Sequence, residues 1–204
     1  MSPWRGVRRT ARRRELRATA FWLVVLLLAA GGWLWWTLRS SPPGAPGTPA
    51  PSNPGPPAGA QPVRVDFPLD GDSLQVTAAA SGAVLDVPGA AQLRLLGIDA
   101  PELPSTDGGP QCWADTARAE LRRLAPPGAE LWVLPDTERR DPYQRYLVYA
   151  WTADGRFVNA ELAARGAVRE RAVRPNLAHQ RGIHDAVAAA RAQRRGLWGS
   201  CEGT

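Results

Sequence analysis

Residues 93–102 read LRLLGIDAPE, and the fold turns on this stretch. Leucines on alternate positions around Arg94 have the period of two that marks a strand with one buried face. Asp99, Ala100, Pro101 and Glu102 follow at once, and the proline biases the chain toward an extended exit into a loop. A guanidinium inside such a strand needs a partner, because an isolated buried charge is costly. A structural salt bridge would satisfy it, and so would a bound phosphate.

Working outward, short β-rich segments surround that stretch. They are VRVDF (63–67), SLQVTA (73–78), AVLDV (83–87), AQLRLLGI (91–98), ELWVLP (130–135) and RYLVYAW (145–151). Ser81-Gly82 and Pro88-Gly89 mark turns between the early ones. Helical spacing appears at 113–124, where Ala114, Ala117, Leu121 and Leu124 share a face, and at 158–166, closed by Gly166. It appears again at about 176–195, before Gly196. Five or so antiparallel strands with about three helices fit an α+β domain built on a small five-stranded barrel of the OB type, spanning residues 63–204.

The charge of the chain is unevenly placed. Residues 1–40 carry eight arginines and one glutamate, whereas residues 41–204 carry 17 arginines and 18 acidic residues. The basic pI therefore belongs to the N-terminal arm and says nothing of nucleic acid binding by the body. Residues 18–38 form a 21-residue run without charge. At about 1.5 Å per residue it matches the roughly 30 Å of a bilayer core. Seven arginines precede the run within residues 1–17, and Trp33, Trp35 and Trp36 lie near its far end. The expectation is a single-pass anchor in the cell membrane, with residues 1–17 cytoplasmic and the rest extracytoplasmic. A cleaved signal peptide is the competing reading, though bulky tryptophans replace a small-residue cleavage site. Residues 39–62, rich in proline and glycine, read as an extended linker.

Cys112 and Cys201 are the only cysteines. They are either two unrelated buried residues or, on an exported domain, a disulfide across 88 intervening residues. Two cysteines with no third ligand argue against structural zinc.

Three fragments carry the chemistry: Asp70-Gly71-Asp72-Ser73, the stretch 93–102, and Asp141-Pro142-Tyr143-Gln144-Arg145. Each alone is an ordinary turn or strand exit. Together they supply carboxylates for a hard cation, a carboxylate base, and guanidinium forks for phosphate. These fragments and their order resemble the thermonuclease family, the staphylococcal-nuclease-like domain, over roughly residues 63–198. The resemblance implies a calcium-dependent endonuclease that hydrolyses DNA and RNA with little sequence preference and leaves 3′-phosphates. It implies Ca2+ held by Asp72, Asp99 and the carbonyl of Ala100, with Glu102 activating water. It implies Arg94 and Arg145 on the scissile phosphate, and Tyr143 beside the bound nucleotide.

Departures are visible. Ala100 replaces a threonine, Gln144 stands where the family has glycine, and the stacking tyrosines before the last helix have no counterpart in residues 168–175. His179 and His184 read as ordinary surface or core histidines. Glu161, Arg169, Glu170 and Arg171 read as solvated charges, and Trp113, Trp132, Trp151 and Trp198 as packing residues. The alternative function is an inactive nuclease-like module that binds nucleic acid or protein at the cell envelope. No feature points to a protein partner.

Overall fold

The computed structural model describes residues 55–104 and 109–201, together with Leu28. The arm, the anchor and most of the linker expected in residues 1–54 lie outside the described residues, Leu28 apart. Among the described residues no helix is long and apolar enough to cross a membrane.

Five strands close a barrel in the order β1 (Gln61–Pro68), β2 (Ser73–Ala78), β3 (Gly89–Leu95), β6 (Tyr146–Thr152) and β5 (Glu130–Arg140), with β5 returning to β1. The expected α+β barrel is borne out. Alternation explains the closure: Val63 and Val65, Leu74 and Val76, Leu93 and Leu95, and Leu131 and Val133 all point inward and are buried. One pairing differs from expectation, because β3 and β6 run parallel. The crossover between them, through α1 (Ala114–Leu124) and β5, is long enough to permit it.

α1 buries Ala114, Ala117, Leu121 and Leu124, the face read from the sequence. α2 (Val158–Ala164) ends as its glycine suggested. Gly166 has φ 67°, its N–H donates to the Ala163 carbonyl, and the Ala167 N–H reaches back to Leu162. That is the paired hydrogen-bond pattern of a left-handed helix stop. α3 (Gln180–Ala192) and the short α4 (Leu197–Ser200) complete the domain. The Cys112–Cys201 disulfide forms, with Cα atoms 5.8 Å apart, and joins the chain just before α1 to the residue after α4.

Three expectations are corrected. Residues 83–87 are not a strand, although Val84 and Leu85 are buried. The Gln61 side-chain oxygen accepts both of their N–H groups at 2.9 Å, so an amide replaces the strand partner they lack. Residues 176–179 do not begin α3, because Asn176 is occupied elsewhere. Its side chain accepts from the Glu138 N–H at 2.7 Å and donates to the Glu138 carbonyl at 2.9 Å. Last, the segment 91–98 breaks in two: β4 (Gly97–Asp99) leaves the barrel and pairs antiparallel with β7 (Arg169–Arg171).

Candidate active site

The β1–β2 turn brings in the first carboxylates. Asp70 accepts the Asp72 N–H at 2.9 Å, which tightens the turn. Gly71 lies so close to its neighbours that a Cβ there would sit 2.7 Å from the Cβ atoms of both Ala100 and Ala117. The turn is thereby seated against α1 and against the exit loop of β4. In the β2–β3 ladder Ser73 faces Arg94, so Asp72 arrives beside that arginine.

Arg94 is the hub. Its Nη2 lies 2.9 Å from Asp99 and 3.1 Å from Asp72, and its Nη1 donates to the carbonyls of Leu95 and Ile98 at 2.6 and 2.9 Å. Asp72 is 5% exposed and also accepts the Ala100 N–H at 2.6 Å and the Ser73 hydroxyl at 3.1 Å. Burial pushes its pKa up to about 7; Arg94 opposes the rise and the neighbouring Asp70 carboxylate adds to it. The partly exposed Asp99 carboxylate accepts from Arg171 as well, at 3.0 Å.

The second arginine enters from the far side of the parallel pair. Leu93 faces Tyr146 across the parallel β3 and β6, which places Arg145, one residue earlier, level with Gln92 and two positions before Arg94. Asp141 builds the turn that presents it. One carboxylate oxygen accepts the N–H groups of Tyr143 and Arg145 at 3.0 and 2.9 Å, and the other accepts Arg145 Nε at 2.7 Å. The two terminal nitrogens of Arg145 have no partner among the described residues. Gln144 holds φ 66°, in the left-handed region, so the turn that presents Arg145 carries some strain.

These groups open on one cleft of about 420 Å³, lined by Asp72, Arg94, Asp99, Glu102, Tyr143 and Arg145. Tyr143 is 81% exposed at its rim. The Glu102 carboxylate is exposed and has no partner among the described residues; its backbone is held by Gln111, through N–H to Oε1 at 3.1 Å and carbonyl to N–H at 2.9 Å. Ala100 lies behind the wall, buried, and contributes its N–H to Asp72.

Four further charged residues line the cleft: Asp70, Glu138, Asp141 and Arg171. Asp70 and Asp141 stood inside fragments already singled out. Arg171, read as a solvated charge, is exposed and in addition pairs with Asp99, a contact that only the long-range β4–β7 pairing could reveal. Glu170, read the same way, accepts from Gln180 at 2.6 Å and pairs with His184 at 2.8 Å, tying β7 to α3.

Among the described residues no three His, Cys, Asp or Glu side chains gather closely enough to bind a metal by themselves. Two carboxylates and a carbonyl fall below that number. The available donors are nonetheless all oxygen, and the partly exposed Asp99 carboxylate faces the cleft beside Asp72. That chemistry fits a hard cation such as Ca2+ or Mg2+ completed by water.

Comparison with known proteins agrees with this geometry. The chain is 28% identical over 142 residues to a thermonuclease of Staphylococcus hyicus, covering 69% of this chain and 78% of that protein. It is 29% identical over 141 residues to the endonuclease YhcR of Bacillus subtilis (strain 168), covering 66% of this chain but 11% of that far longer protein. The family model described as staphylococcal nuclease homologue matches residues 92–200, from inside β3 to the end of α4. With more than half of its length matched and the barrel closed around that cleft, the chain belongs to the staphylococcal nuclease homologue family.

Proposed function

We propose that the protein is a calcium-dependent endonuclease that hydrolyses phosphodiester bonds of DNA and RNA with little sequence preference. The observation that carries this reading is the convergence of Asp72, Asp99, Glu102, Arg94 and Arg145 on a single cleft. Asp72 and Asp99, with the Ala100 carbonyl that the resemblance implies, would hold a divalent cation, which would supply charge neutralisation at phosphate and lower the pKa of water.

The rest is work for the chain's own side chains. Arg145 offers its two unpartnered terminal nitrogens to two phosphate oxygens. Arg94 lines the same cleft and adds a second positive charge to the extent that phosphate draws it from Asp72 and Asp99. The unpartnered Glu102 carboxylate accepts a proton from the attacking water, whose oxygen bonds to phosphorus. The 5′ oxygen leaves and takes up a proton from solvent, which leaves the 3′-phosphate. Tyr143 offers an exposed ring to the adjoining nucleotide.

Location follows the same line of argument. Residues 18–38 anchor the chain in the bilayer, and the Cys112–Cys201 disulfide supports an oxidising, extracytoplasmic compartment for the domain.

The test is cleavage of single- and double-stranded DNA and of RNA by the full-length protein across a series of divalent cations, with a chelator control and Glu102→Gln. Calcium-supported cleavage, abolished by chelator and reduced by several orders of magnitude in Glu102→Gln, is expected. No metal-dependent cleavage of any substrate would overturn the reading in favour of a binding module.

A further inference from the structure

The near-neutral body hides a strong division of charge. Residues 63–164 hold nine arginines against 15 acidic residues, whereas residues 165–201 hold eight arginines against Glu170 and Asp185. Seven of those eight arginines are exposed, all but Arg165. The basic surface meets the cleft at β7. Arg169 stands directly opposite Asp99 in the β4–β7 ladder, so it lies on the same face as that cleft carboxylate. Arg171, two residues along and on the same face, already lines the cleft.

Beyond Arg169 the path reaches Trp198. The Arg169 guanidinium lies over the indole at 5.9 Å from its centre, and Arg191 of α3 lies over the same ring at 5.3 Å. Trp198 is packed against the core and sits three residues before the disulfide at Cys201, so it is a fixed platform. Neither arginine has a carboxylate partner among the described residues. Two like charges gathered on one ring without an anion repel each other, and a polyanion would supply what is missing.

We propose that Arg169, Arg191 and Trp198 form a secondary nucleic-acid subsite, continuous with the cleft through β7, that grips the polynucleotide beyond the scissile phosphate. The inference rests on the nuclease reading for the identity of the polyanion. It supplies an electrostatic grip on the phosphate backbone, which is sequence-independent and falls with salt. Continuity with the cleft favours a nucleic acid over an anionic lipid surface.

The test reads binding apart from cleavage, using the full-length protein in chelator and labelled single-stranded DNA of about 4 and about 20 nucleotides. In Arg169→Gln/Arg191→Gln the slope of log affinity against log salt for the longer strand is expected to fall by about 1.4, two contacts at about 0.7 each. The loss of affinity between roughly 50 and 200 mM salt then shrinks about sevenfold, and binding of the short strand is unchanged. The single variants, each expected to lower the slope by about 0.7, carry the test should the double variant not fold. An unchanged slope, or equal losses on both strands, overturns the subsite. So does a double variant that binds the long strand normally but no longer binds phosphatidylglycerol vesicles, since the patch would then face lipid. Wild-type protein that binds the long strand with the expected slope but never cuts it sinks the nuclease reading and leaves the subsite standing.

Discussion

Arg145→Lys separates charge from shape at the cleft. Arg145 spends Nε on Asp141 at 2.7 Å and keeps two terminal nitrogens as a fork. A lysine keeps the charge but has one nitrogen for both tasks. If the ammonium reaches phosphate, Asp141 loses its partner; if it stays on Asp141, the phosphate is left to Arg94. The variant loses at least one charge-assisted hydrogen bond to phosphate, on the order of 1.5–3 kcal/mol. Where the ammonium leaves Asp141 for phosphate, that pairing is lost too, worth about 1 kcal/mol or less because Arg145 is part-exposed and screened. A total of about 2–4 kcal/mol corresponds to a fall in kcat/KM of about 30- to 900-fold. Initial rates on a short fluorogenic oligonucleotide would measure it. A loss in kcat alone means the fork acts in the transition state, and a loss in KM means it already holds the ground state.

Asp141→Asn is the companion measurement. It keeps an oxygen for the N–H groups of Tyr143 and Arg145 but removes the charge that orients Nε. A fall of about tenfold or less is expected, and combined with Arg145→Lys the losses should add to less than their sum. Turnover within about threefold of wild type in Arg145→Lys would refute the argument that the fork matters, because an ammonium supplies the same charge.

Four further outcomes follow from the geometry. Arg94→Gln should lower stability by about 3–5 kcal/mol by urea unfolding, because it strands two carboxylates around an empty position; a change under about 1 kcal/mol would contradict the hub role. Asp72 binds its proton more tightly folded than unfolded, so in chelator its contribution to stability should decline as pH rises from about 4 to about 7. Asp72→Asn should remove that decline, seen as a Tm difference that grows across the window, by at most about 4 kcal/mol. Gly71→Ala drives a Cβ into Ala100 and Ala117 and should cost about 1–3 kcal/mol while displacing Asp72, so Tm and kcat fall together in calorimetry and rate assays. Cys112→Ser/Cys201→Ser opens a loop with a sequence separation of 89, worth about 4–5 kcal/mol in the loop-entropy model. Scanning calorimetry should show a drop of roughly 10–20 °C.

Much of the barrel could be read in advance because alternation is a local signal. Leu93 and Leu95, Leu74 and Val76, and the α1 face from Ala114 to Leu124 each announce themselves within a few residues. What escaped depends on distant side chains. Residues 83–87 look like a strand, and only the Gln61 amide, more than 20 positions upstream, explains why they need not pair. β7 is three residues long, Arg-Glu-Arg, and carries no apolar periodicity at all. Its partner β4 was therefore read as a continuation of β3. Hence nothing local tells that Arg171, an exposed charge, reaches Asp99. Of the site, the residue types and their order were legible; the contacts that unite them were not, since they arise from the Ser73–Arg94 and Leu93–Tyr146 registers.

The two arginines of the cleft are not equivalent, and this governs how any loss of activity must be read. Arg94 has left alternation behind: both its terminal nitrogens are engaged by four acceptors, two of them the carboxylates of Asp72 and Asp99. It answers the question its buried position posed, for the guanidinium is satisfied by a salt bridge before any phosphate arrives. Its removal therefore damages the cleft and the barrel together, and an inactive Arg94 variant says little about phosphate. Arg145 stands on a turn outside the barrel wall, tied by one nitrogen and with its fork unspent. Only there can charge and shape be varied while Asp72, Asp99 and Glu102 stay where the barrel holds them. A catalytic role for guanidinium in this cleft thus stands or falls on Arg145, and Arg94 enters the chemistry only to the extent that a phosphate can draw it away from the two aspartates it already neutralises.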